Sequence, residues 1–179
     1  MAMVGLFWIA EGDVYVGAKP SGSAPGVRLT PDGVVALGDG QSGLHLWEDV
    51  RALTVRDVPV KSLKRQVGMA ADVALDVVMN LAMTLGPGRT GEAPPMMTVE
   101  LESNDGEHEL KAYVAAAVGY SSAEVELSRT LLSRLTEGAA TMATTLAAMS
   151  EWGRAWEGGS PRTTQREELL RRWVGPDTL

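Results

Sequence analysis

Apolar and polar positions change their spacing twice along this chain. In the first third they form short runs at residues 4–9, 14–18, 27–30, 34–37 and 44–55, rich in Val, Leu, Trp or Tyr and bounded by Gly, Pro, Asp or Ser. Such runs predict β-strands, because branched and aromatic side chains suit a pleated surface and the bounding residues favour turns. Pro31-Asp32-Gly33 predicts one turn, since proline presets one dihedral and glycine accepts a positive one; Glu11-Gly12-Asp13 predicts another. In the longest run Leu44, Leu46, Val50 and Leu53 do not keep a single alternation, which predicts a bulge or bend near Glu48 and Asp49.

After Pro59 the spacing becomes helical. Residues 63–85 are almost continuously apolar except for Asp72, Asp76, Asn80 and Thr84, which recur every four positions and so follow one stripe of a helix. Such a helix of 23 residues extends about 34 Å, and Gly86-Pro87 ends it. A loop-forming stretch over 86–95 leads to a hairpin, 97–102 with 107–114, around Asn104-Asp105-Gly106. Met97, Val99 and Leu101 fall on one face of it, and Thr98, Glu100 and Glu102 on the other. Ser121 with Glu124 forms a capping box that opens a helix with a Leu127, Leu131, Leu132, Leu135 stripe. Residues 139–149 continue as a helix after Gly138. Beyond the break at Gly158-Gly159-Ser160-Pro161, Thr164 and Glu167 predict the cap of a last short helix ending at Gly175-Pro176. The order of elements predicts an α+β protein.

Three segments carry a family resemblance: Val27-Arg28-Leu29-Thr30-Pro31-Asp32-Gly33-Val34, the Leu46-Trp47-Glu48-Asp49-Val50 turn into Leu53-Thr54-Val55, and the helix over 122–137. In this order they resemble a pleckstrin-homology-like domain, including its GRAM-type and bacterial variants, over roughly residues 3–137. The resemblance implies a curled antiparallel β-barrel of seven strands with one end plugged by a helix. On that plan residues 1–137 form the barrel, the long helix 63–85 is an insertion, and 138–179 are a C-terminal helical extension. Family members that bind phosphoinositides use basic residues between the first two strands. Here that loop is Ala10-Glu11-Gly12-Asp13, which is acidic, so the headgroup role does not carry over.

Composition narrows the chemistry. A chain of 179 residues buries roughly 70% of its unfolded surface, enough for a substantial core. Cysteine is absent, which excludes disulfides and thiolate chemistry and favours a cytoplasmic location. The net charge of −7 opposes non-specific nucleic-acid binding, because that affinity comes chiefly from Lys and Arg. The apolar run near the N-terminus is too short to span a membrane and lacks a basic leader. The aspartates disfavour 63–85 as a spanning helix, at about 2.5–3.5 kcal/mol each near the bilayer centre.

Few residues invite a specific chemistry. Glu100, Glu102, Glu107, His108 and Glu109 have the donor types for a hard cation, and Asp72, Asp76 and Asn80 share a helix face. A solvated acidic strand and a polar helix stripe are the simpler accounts, and His45 reads as structural. No catalytic, cofactor or metal residue is assigned. The long apolar helix needs cover, so Met69, Val73, Val77 and Leu81 are expected to meet a partner protein or a second copy. Trp152, Trp156 and Trp173, each near arginine, are the other candidate partner contacts, with packing on the chain's own core as the competing account. Lys61, Lys64 and Arg65 form a small basic group ahead of the helix, the basis of an alternative lipid-surface role. The expected function is a non-catalytic, self-associating interaction or assembly module.

Overall fold

The computed structural model describes residues 1–61 and 94–176. The expected helix 63–85, with Met69, Val73, Val77, Leu81, Lys64 and Arg65, lies outside the described residues, as do the candidate ligands Asp72, Asp76 and Asn80.

The protein is α+β. Six strands form one antiparallel sheet in sequence order: β1 (Ala2–Val4), β2 (Phe7–Ala10), β3 (Asp13–Val16), β4 (Gly26–Leu29), β5 (Gly33–Leu37) and β6 (Gly43–Leu46). A second antiparallel sheet contains β7 (Val50–Arg56), β8 (Met96–Ser103) and β9 (Gly106–Tyr113). Three described helices follow: α1 (Ser122–Leu135), α2 (Ala139–Ala155) and α3 (Thr163–Val174). Both sheets are open, and among the described residues the strands fall into two sheets rather than the single curled barrel of seven strands that the resemblance implies.

Two strand boundaries differ from the sequence expectation. The run 4–9 is a tight hairpin, in which Val4 pairs with Phe7 and Met3 with Trp8 around Gly5 and Leu6. That turn contains no polar residue because it is buried. The hydroxyl of Ser128 in α1 accepts the Leu6 N–H at 3.1 Å, so the apolar run hides the reversal. The run 44–55 is two strands in different sheets. Asp49 N–H donates to Leu46 C=O at 2.9 Å and Val50 N–H to Trp47 C=O at 3.3 Å, which turns the chain out of one sheet into the next. The lost alternation marks this switch, and a separate bulge falls between Val50 and Ala52.

One core joins all the layers. Phe7, Ile9, Val14, Val16, Val27 and Leu29 from the first sheet meet Leu53, Val55, Met97, Val99 and Leu101 from the second. Leu131, Leu132, Leu135, Met149 and Leu170 close it from the helices. The core therefore runs across residue 137, where the extension was expected to begin.

The last helix is fastened by charge as well as by packing. Glu124, in the first turn of α1, is fully buried and pairs with Arg166 of α3, its Oε1 accepting from Nε at 2.5 Å. Arg166 also donates from Nη1 to Pro161 C=O at 2.7 Å and from Nη2 to Thr163 Oγ1 at 3.1 Å. The capping box of Ser121 and Glu124 forms as expected. The expected cap at Thr164 does not: Arg162 opens α3, its N–H donating to the side chain of Gln165. Glu167 instead accepts from the Ser121 hydroxyl at 2.8 Å, tying α3 to the start of α1.

Candidate functional site

Trp152, Trp156 and Trp173 form a ladder within the chain. Trp152 stacks on Trp156 with ring centroids 5.3 Å apart and meets Trp173 edge-on at 5.8 Å. Trp173 is 8% exposed and belongs to the core. Trp156 donates from Nε1 to Gly159 C=O at 2.8 Å, which holds the break between α2 and α3. The competing account of these tryptophans, packing on the chain's own core, describes Trp173, and aromatic edges and faces of this geometry favour such a cluster.

The acidic residues of the second sheet separate into two groups. Glu100 lies opposite Glu109 and Glu102 opposite Glu107, so four carboxylates share the outer face. Arg56 occupies one pair, reaching Glu100 at 2.7 Å and Glu109 at 2.6 Å, and these carboxylates hold its guanidinium above its ordinary pKa. Among the described residues, no group of three or more His, Asp or Glu side chains is placed to hold a metal ion. His108 pairs in register with the buried Leu101 and so lies on the opposite, inner face.

There His108 meets His45. Their ring centroids are 4.6 Å apart, where β6 of one sheet comes over β9 of the other. Asp105 Oδ1 lies 3.3 Å from His108 Nε2 and also accepts from the Ser103 hydroxyl. The Ser103 hydrogen bond, followed by that of His108, pulls the Asp105 carboxyl below its ordinary range. The His45 pKa is lowered, first by burial and then by its proximity to His108, while Asp105 opposes the shift. The imidazole neighbour of His45 comes from a distant strand of the other sheet, which local sequence pattern does not disclose.

Lys61 stands at the end of a parallel bridge between Val60 and Tyr120, its N–H donating to Tyr120 C=O at 2.8 Å. Lys64 and Arg65, the other members of that basic group, lie outside the described residues.

The sheet edges differ from one another. β1 is buried, lies against α3, and its Met3 N–H donates to Ser160 Oγ at 3.0 Å. β7 lies against α1, whose Arg129 donates to Val55 C=O at 3.3 Å. β9 is closed by Ala18 N–H, donating to Tyr113 C=O at 2.7 Å, and by Gln41. The Gln41 amide acts as a peptide group would, accepting from Lys111 N–H at 2.7 Å and donating to Lys111 C=O at 2.8 Å. No described strand pairs with the outer edge of β6.

Comparison with known proteins finds no match among family models, curated proteins or solved structures.

β6 also exposes two large apolar side chains. Leu44 is 51% exposed and Leu46 39%, and they lie opposite Val35 and Gly33 on the outer face. His45 pairs with buried Val34 and faces inward. Sequence pattern alone predicts one strand over 44–55 that includes Leu44 and Leu46. The signal that separates them is the phase change before Val50, which places them on a short strand at the end of a sheet. Among the described residues no helix is long and apolar enough to cross a membrane.

Proposed function

We propose that the protein is a non-catalytic interaction module that self-associates, acting in the cytoplasm, and that β6 is its described contact surface. The single observation behind this reading is the outer edge of β6, with which no described strand pairs, together with the exposed Leu44 and Leu46 on that strand. Sheet edges in isolated domains are usually covered, charged or interrupted, because an open edge recruits another strand. Gly43–Leu46 contains no Lys, Arg, Asp, Glu or Pro. A second copy is the complementary occupant: antiparallel pairing about a two-fold axis sets leucines against leucines and opposes no like charges. The apolar sequence of 63–85, outside the described residues, is a second reason to expect association.

The pleckstrin-homology-like assignment belongs to the same proposal. It is supported by a three-stranded antiparallel sheet leading into a capped helix that packs on β7. Six strands in the first sheet and two helices after the first described one would make this an enlarged variant. The acidic Glu11-Gly12-Asp13 turn argues against a phosphoinositide role.

Light scattering across micromolar concentrations tests the function. The wild-type chain is expected to associate, and the Leu44→Glu/Leu46→Glu variant to shift toward monomer with an unchanged melting temperature. A wild-type protein that stays monomeric across the range would refute the proposal.

A further inference from the structure

A cleft of about 410 Å³ opens between the β2–β3 turn, the end of β4 and one face of α2. Its volume falls in the range of small-molecule sites. Two glycines bring its walls together. Gly153 in α2 packs directly on Ile9, where a Cβ would collide with Ile9 Cγ2. One residue later, Arg154 lies across Gly12, where a Cβ would come within 2.7 Å of Nη1. Glu11 and Gly12 both have positive φ, 55° and 91°, as a two-residue turn of this kind requires. The Arg154 guanidinium is thereby set at the cleft, and no described carboxylate pairs with it.

Arg28 lines the opposite wall. Its Nη2 donates to Asp13 at 2.5 Å, while its Nε is buried and has no acceptor among the described residues. Two arginines against one aspartate give the lining a surplus of one positive charge. Leu29 and Leu146, both buried, supply an apolar side, and the exposed Ala147 of α2 leaves room above them.

From this arrangement we infer that the cleft is a binding site for a small monocarboxylate with a short aliphatic body. The flat guanidinium of Arg154 matches a carboxylate fork, and the surplus of one charge matches a monoanion. Asp13 would repel the extra charge of a phosphate monoester. The aliphatic body would lie along Leu29 and Leu146. This site is separate from β6 and does not depend on its role.

Hexanoate is the probe, titrated into the full chain and followed by protein NMR, with hexanamide and inorganic phosphate as controls. Hexanoate is expected to bind with Kd on the order of 1 mM and to shift the amides of Ala147, Ser150 and Arg154. Arg154→Gln should weaken it about tenfold. Ala147→Trp, which fills the cleft from an exposed position, should abolish it while thermal melting shows that both variants fold. Equal binding of hexanamide would overturn the inference by showing simple apolar partition. Displacement of hexanoate by phosphate, or unchanged binding in both variants, would overturn it as well.

Discussion

Arg166→Met tests how the C-terminal helix is held. The substitution keeps much of the apolar stem but leaves the Glu124 carboxylate in a site where its side chain is 0% exposed. It would retain the Ser121 N–H, at 3.1 Å from Oε2, and lose both guanidinium contacts. Breaking a buried ion pair by removing one partner typically costs about 3–5 kcal/mol, because the remaining charge stays desolvated. For a chain of this size that corresponds to a fall in melting temperature of roughly 6–20 °C. Circular dichroism melts provide the reading. Glu124→Gln/Arg166→Met should recover part of the loss, since glutamine still accepts from Ser121 N–H and buries no charge. Removing residues 158–179 should be worse than either, because it also exposes the surfaces that Leu170 and Trp173 cover. A single variant within about 1 kcal/mol of wild type, below the range for an unpaired buried charge, would refute the reasoning. So would a double variant no better than the single one.

Two further predictions concern the junction of the sheets. Gln41→Leu removes both hydrogen bonds to the Lys111 backbone and leaves groups at the β9 edge unmet, so it should cost about 1–3 kcal/mol; chemical denaturation would read this, and a neutral result would contradict the edge-closing role. His45 has a folded pKa below its ordinary value, so the unfolded chain binds more protons near that value. Its contribution to stability should therefore fall as pH drops through about 6.5 and level off below the folded pKa. His45→Asn should flatten that part of the stability profile, and identical wild-type and variant slopes would contradict the assignment.

Local signals made much of this fold legible. Asn104-Asp105-Gly106 between alternating runs specifies the β8–β9 hairpin, and Ser121 with Glu124 specifies the start of α1, because each depends on neighbours a few residues away. What remained hidden depends on distant partners. The Gly5–Leu6 turn looks like continuous strand because its polar partner is Ser128. The change of sheet before Val50 appeared only as a broken alternation. The partner of Glu124 lies 42 residues away, so its local pattern discloses a cap and not the docking of α3. The same limit applies to the candidate surfaces. Leu44 and Leu46 become notable only once β6 is known to end a sheet, and Arg154 only once Gly153 and Gly12 bring α2 against the β2–β3 turn.

Hydrogen–deuterium exchange at Gly43–Leu46, followed as the full chain is diluted, tests the proposed association at the strand itself. Self-association through β6 predicts slow exchange at high concentration that accelerates on dilution, with Leu44→Glu/Leu46→Glu exchanging fast throughout. Exchange at these amides that is independent of concentration and the same in wild type and variant would contradict it.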